Sequence, residues 1–421
     1  MNSFQFHLYF IKVPSYITAC IPFLLITGPF LPDLAISVCS ILFLINHFFE
    51  SKIKYFKSIY FKFFVIFWIT LLTSSLFSSD IFYSLKNSFF YIRFGIFSLS
   101  VWYLLNHNPK LIKHTFLVFI LSYFLLILDG YIQFFTLKNI FGWEIIGTRV
   151  SSFFKDELIL GSYLSRLFPL AFALYIFLND RKYEAPIIII FILIEVLIFL
   201  SGERAAFLYL NMSAFFMILL SKGFGKIRFL ILVFSIIIVT LITVFFNPQY
   251  KERILDKTIM QITANGKINI FSIEHENHYK SALLMFKDNP ILGKGPKMFR
   301  KHCDQIEYKI SSESCTTHPH NTYIQLLSEG GIFSFLQILS LFLFLIYYCF
   351  KHLYFKFIKK TYFFDDFQLS LLSAAIITLW PIVPTGSFFT NWLSIVYYLP
   401  VGFILFSFHK LDKKNNLMKT N

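Results

Sequence analysis

The sequence is short of charge. Only 14% of its 421 residues are Asp, Glu, Lys or Arg, against about a quarter in an ordinary soluble domain. With 57% of the chain hydrophobic, a water-soluble globule is excluded, because an interior of this length cannot hide so much apolar surface. Acids are scarcer than bases: 23 Asp and Glu face 38 Lys and Arg, for a net charge of +15. No basic, aromatic-interleaved domain accompanies that excess, so nucleic acid is not an expected partner. The excess instead fits loops that face a cytoplasm. Cysteine is sparse, five in all, and no second pair completes a zinc set. The first apolar run leads into Pro29, Leu31 and Pro32 rather than a small-residue cleavage site, so no cleavable signal peptide is expected. Internal repeats and low-complexity linkers are lacking too.

What the chain has is apolar length, with 58 Phe residues contributing heavily. A bilayer core asks for about 20 apolar helical residues per crossing. Twelve runs qualify as helices, at 14–29, 32–49, 60–78, 88–106, 115–135, 157–178, 186–201, 205–221, 229–246, 331–350, 368–383 and 391–408. The expected fold is therefore all-α: a polytopic membrane protein of about twelve transmembrane helices. Helices one to nine occupy 1–246, a large loop fills 247–330, and helices ten to twelve with a tail occupy 331–421. With the N-terminus inside, just over half of the 38 basic residues fall on that side, among them Lys52, Arg181, Lys182 and Arg228. The short outer segments hold only Lys86, Lys138, Arg149, Lys155 and Arg204. Positive charge marks cytoplasmic loops, so both termini are expected inside and the large loop outside. Membrane lipids are then the first partner.

The large loop is where polar chemistry can occur. Residues 278–287 (HYKSALLMFK) carry helical apolar spacing, and Asn289, Pro290, Gly293, Gly295 and Pro296 follow as turn residues. Cys303 and Cys315, twelve positions apart, are a disulfide candidate if that side is oxidising; free thiols are the alternative. The loop runs through His318, Pro319, His320, Asn321 and Glu329 to Gly331 at the start of the tenth helix. An imidazole there can accept a proton near neutral pH, though a loop histidine can also simply cap a helix. The Ser201-Gly202-Glu203-Arg204 turn places a cation at the membrane boundary. Its fork matches phosphate oxygens, with a mere helix-end anchor as the alternative. Arg149 precedes the sixth helix and could face the same cavity. Arg93 and Arg166 lie inside apolar runs, where an ion signals a function or a lining role. Lys280, Lys294, Lys297, Arg300 and Lys301 add positive charge to the loop, which suits an anionic, lipid-linked substrate.

The His320-Asn321 pair, nine further positions and then Gly331 resembles the signature of the O-antigen ligase family, which includes O-antigen polymerases. Ser334 stands where that signature has Gly, Thr or Tyr. The Arg149 segment, the Arg204 turn and the 288–295 stretch (DNPILGKG) are similar to the family as well, as is a twelve-helix plan with a long outer loop. Lys280, four before Leu284, stands where the family often has Arg. The resemblance implies a metal-independent glycosyltransferase of the GT-C type with no cofactor, in the bacterial inner membrane, its active site on the periplasmic side. The donor would be a glycan on undecaprenyl diphosphate. The acceptor would be lipid A–core for a ligase, or another undecaprenyl-linked repeat for a polymerase. It also implies roles: His320 and Arg204 catalytic; Arg149, Arg204 and Lys280 on the diphosphate; His318, Asn321, Glu329 and Gly331 supporting. No pair of carboxylates is spaced for glycosidic acid–base work, which fits a diphosphate that leaves without protonation. From another class, a secondary transporter or lipid-linked sugar flippase shares the helix count, but transporters place charges and broken helices at mid-membrane.

Overall fold

A computed structural model describes residues 7–49, 53–178, 184–246 and 270–419, together with residues 5, 252, 259, 260 and 263. Lys52, Arg181, Lys182 and most of 247–269 lie outside the described residues. In lipid every backbone donor and acceptor must be satisfied within the chain, so apolar runs fold as helices. In order these are α1 (Val13–Leu24), α2 (Phe30–Phe49), α3 (Ile59–Leu76), α4 (Ile81–Phe89), α5 (Ile92–His107), α6 (Lys110–Thr136), α7 (Leu160–Leu178), α8 (Glu184–Leu200), α9 (Arg204–Leu220), α10 (Gly225–Leu241), α11 (Ile273–Asp288), α12 (Thr322–Phe357), α13 (Asp366–Thr378) and α14 (Asn391–Lys419). Among the described residues there is no strand, only two isolated bridges. Eight segments are long and apolar enough to cross a membrane, and three shorter apolar helices accompany them. The chain is thus an all-helical, multi-pass membrane protein. Each of the twelve expected runs overlaps a helix; twelve crossings belong to the proposal below.

Two helices are apolar all round and sit inside the bundle. Every residue of α5 from Phe94 to Leu105 is buried, as is every residue of α7 from Tyr163 to Tyr175. Helix α5 packs against α2 and α14, and α7 against α9 and α13. The outer helices divide into two faces. On α6, Phe116, Phe119, Tyr123 and Leu126 point inward, while Leu117, Leu121, Phe124 and Leu128 form an exposed stripe. An apolar stripe of that kind is a lipid contact.

Two boundaries and one charge depart from the sequence reading. Helix α12 starts at Thr322 rather than 331, because Asn321 caps a polar first stretch that hydropathy alone does not register. Helix α13 stops at Thr378, short of 383, where Pro381 and Pro384 lack the backbone N–H groups a helix needs. Arg228, counted above among cytoplasmic charges, is fully buried one turn into α10. It forms an ion pair with Glu195 of α8, whose other oxygen accepts from the Ser235 hydroxyl.

Candidate active site

The site rests on a broken helix. Gly331 interrupts α12 with φ 73° and ψ −175°. The break frees the carbonyls of Ser328 and Glu329, which accept from the N–H groups of Lys294 (2.9 Å) and Gly295 (2.8 Å). In return Ile332 N–H donates to the Pro290 carbonyl at 2.9 Å. The two segments interlock so closely that only glycine fits. A Cβ on Gly331 would overlap the Ile291 carbonyl, and one on Gly293 would sit 2.6 Å from the Glu329 carbonyl carbon. Both residues also have positive φ, which glycine adopts without penalty. The Ser334 hydroxyl bridges the break, donating to the carbonyls of Leu326 and Gly331.

The Glu329 carboxylate is fully buried and serves this same lock. One oxygen accepts from Phe299 N–H at 2.8 Å and the other from the Gln325 amide at 2.8 Å. Beyond Phe299, the disulfide from Cys303 to Cys315, with Cα atoms 4.9 Å apart, ties this turn to the segment before His318.

The start of α12 is held from the other side by the 379–390 segment, which joins α13 to α14. Asn321 caps the helix, its side-chain oxygen accepting from Tyr323 and Ile324 N–H groups. Its amide donates to the Pro381 carbonyl at 2.7 Å. The Tyr323 hydroxyl donates to Leu379, and Phe388 N–H donates to the Gln325 side chain. Thr385 makes the contacts nearest the histidines: its N–H donates to the His320 carbonyl at 2.9 Å, and its carbonyl lies 3.3 Å from His318 Nε2. A carbonyl only accepts, so Nε2 of His318 carries the proton and Nδ1 is left to accept from the Thr317 hydroxyl.

Four imidazoles meet here. His320 lies 4.1 Å from His318, ring centre to ring centre, and 5.4 Å from both His275 and His278. The last two project from α11. This helix starts at Ile273, with the Ser272 hydroxyl as its cap, five residues earlier than the spacing of apolar residues suggests. His275 and His278 are three apart and share its inward face. The His320 ring nitrogens make no hydrogen bond among the described residues. Burial first, and then for His275, His318 and His320 the repulsion of neighbouring rings, disfavours the charged form, whereas His278 is lowered by burial alone against the pull of Glu313 and Glu274. His320 is pushed down to about 3, and His275 and His318 to about 4. Arg204 adds to the effect on His275, and Arg300 to that on His318. Among the described residues no group of His, Cys, Asp or Glu side chains is arranged to hold a metal ion.

Arg204 is the first, exposed residue of α9, and its charge bears on His275. Arg149 stands behind it. Its Nε donates to the Ser201 carbonyl at 3.1 Å and its Nη2 to the Leu158 carbonyl at 3.3 Å. Glu203 turns away to cap α7, accepting from the N–H groups of Gly161 and Ser162 and from the Ser162 hydroxyl. Lys280 is not brought to the cluster. Two residues on from His278, it faces the opposite side of α11 and pairs with Glu276 at 3.6 Å on the exposed surface. The structure thus brings His318 and His320 together, scaffolded by Asn321, Glu329 and Gly331, while Arg204 bears on the cluster through His275. It places Arg149 one layer back and Lys280 outside. His275 and the 379–390 segment were missed by the sequence reading. Their signals were an i, i+3 histidine pair and a Pro-Thr-Gly-Ser run.

Residues 187–359 match the family described as O-Antigen ligase. No curated protein matches the chain. The match takes in Arg204, the four histidines and the Gly331 break; Arg149 and the 379–390 segment fall outside it. That match runs from α8 to the end of α12 and makes this part of the chain similar to the O-antigen ligase family.

Proposed function

We propose that this protein is an O-antigen ligase-type glycosyltransferase of the bacterial inner membrane. It would cross the membrane twelve times with both termini in the cytoplasm, and its site would face the periplasm. The donor would be a glycan on undecaprenyl diphosphate and the acceptor a lipid A–core hydroxyl. The observation that carries this reading is His320, an imidazole whose ring makes no hydrogen bond among the described residues, packed among three others, of which His275 feels the charge of Arg204 at the exposed start of α9. In the proposed step the acceptor oxygen attacks the anomeric carbon while the bond from that carbon to the diphosphate oxygen breaks. The hydroxyl proton passes to His320, and the bonding electrons leave with undecaprenyl diphosphate, whose charge Arg204 stabilises. Arg149 supports Arg204 by holding the Ser201 carbonyl. His318 packs on His320, and Asn321 fixes the turn that carries both. Lys280 has no part in the step, because its side chain lies on the far face of α11. The low basicity of His320 suits the resting site, and an incoming diphosphate raises it by placing negative charge beside the ring.

The polymerase reading differs only in the acceptor. A deletion strain separates the two: loss of all glycan from lipopolysaccharide marks a ligase, and a single attached repeat marks a polymerase. Complementation with His320→Ala and with Arg204→Ala, at matched membrane expression, tests the mechanism. Both are expected to abolish transfer, and wild-type glycan with either would remove that residue from the reaction. Uptake of a sugar substrate with no glycan phenotype would instead identify a transporter.

A further inference from the structure

We propose that Arg166 is a positioning residue that sets the His318–His320 turn against the helix of Arg204, acting through Thr385. The inference rests on the transferase reading above. Arg166 lies in α7, 2% exposed, inside a segment apolar enough to span a membrane. A cation there is retained only for a strong reason. Its Nη2 donates to the Thr385 hydroxyl at 2.7 Å, while Nε and Nη1 make no hydrogen bond. The guanidinium carbon lies 4.3 Å from the ring centre of Tyr209 on α9 and 5.3 Å from that of Tyr397 on α14. The Tyr397 hydroxyl in turn lies 3.2 Å from the Thr385 hydroxyl.

The target of this clamp needs outside support. Pro319 has no N–H to donate, and His320 holds a left-handed φ of 54° that a β-carbon disfavours. Thr385 supplies that support from both ends, its N–H on the His320 carbonyl and its carbonyl on the His318 ring. Fixing the Thr385 side chain fixes its peptide groups. Tyr209 sits on the same helix as Arg204, so one buried cation sets the imidazole and the surface cation relative to each other. Arginine suits the task because a planar guanidinium can contact aromatic rings while its N–H groups point in fixed directions.

The test uses the full-length protein in lipid nanodiscs, a lipid-diphosphate-linked glycan donor, and the variants Arg166→Met, Arg166→Lys, Thr385→Val and Thr385→Ser. Misplacing a reacting group by about 1 Å can lower turnover about 100-fold. Arg166→Met and Thr385→Val are each expected to lower kcat on that order with the KM for donor little changed. The double variant should fall no further than the worse single. Thr385→Ser, which keeps the hydroxyl, should recover most of the loss, and Arg166→Lys only part. A raised KM at unchanged kcat would overturn the proposal by making Arg166 a ligand contact, and additive losses would overturn it by uncoupling the pair. A second readout needs no turnover: in histidine-labelled protein the His320 ring resonance and its titration should move in Arg166→Met and Thr385→Val and return in Thr385→Ser. An unmoved resonance sinks the positioning claim even if transfer is observed. Absence of transfer by the wild type sinks the transferase reading, and the resonances still decide the positioning.

Discussion

Both ends of the bundle match most of their buried polar groups, and they differ in the cluster of imidazoles that one of them adds. Toward the end away from the histidines, polar groups are matched by partners on neighbouring elements. Arg228 meets Glu195, and the Asp366 carboxylate accepts from the N–H groups of Lys222, Gly223 and Phe224 at the start of α10. His352 lies between the Leu220 carbonyl and the Phe364 N–H, and Lys356 donates to the carbonyls of Leu219 and Ser221. At the other end four imidazoles crowd together, and the nearby charges that bear on His318 and His275 are cations. An unpaired polar group is costly away from water. The first end is therefore built for cohesion, and the second differs by its crowded imidazoles, with Arg204 and Arg300 acting on His275 and His318 and with Glu274 and Glu313 acting on His278.

That contrast can be broken at either end. The largest effect is expected from Glu195→Ala, which strands Arg228 inside the bundle. Removing one partner of a buried pair costs about 3–5 kcal/mol. A thermal melt of detergent-purified protein should show a large drop in midpoint, with recovery when Arg228→Met is added. An unchanged midpoint would mean that the pair contributes nothing to cohesion. A smaller effect is expected from pH. The four histidines titrate lower when folded than the ordinary value of about 6.5, with folded values of about 3 for His320 and about 4 for His275 and His318. The unfolded chain then binds more protons, so stability is full above about 6.5 and declines as pH falls toward those folded values. A midpoint that stays flat from pH 7 to 4.5, or a His320→Gln variant with the same slope as wild type, would contradict the crowded-imidazole picture. The smallest effect is expected from Lys280→Ala. An exposed pair with Glu276 contributes little, so neither melting nor glycan transfer should change, and a transfer defect would return Lys280 to the site.

The sequence made the site legible in outline and not in its supports. His320, Asn321 and Gly331 stand out because their spacing survives without the fold, and the structure gives that spacing a cause. Gly331 must admit the Ile291 carbonyl, and Asn321 must cap the stretch that leads to it. The placement of Lys280 was not legible, because counting four residues to Leu284 says nothing about which face of α11 a side chain takes. His275 was missed despite its i, i+3 spacing to His278, because it meets His320 only across a 45-residue separation that folding closes. Thr385 is further still, an unremarkable hydroxyl whose backbone does the holding. Arg228 was misplaced because a basic residue near a helix end reads as a loop charge until Glu195 is seen to face it.

Composition and apolar run length by themselves determined that this chain is helical and lives in lipid, since backbone polar groups have no other solution there. The order of the motifs also fell to the sequence, as did the presence of an imidazole and a fork-shaped cation near the membrane boundary. Only the tertiary structure decided which histidines gather, which cations stand beside them and which turn away. Those outcomes depend on helix facing and on long-range hydrogen bonds between backbone groups, and neither leaves a trace in residue type.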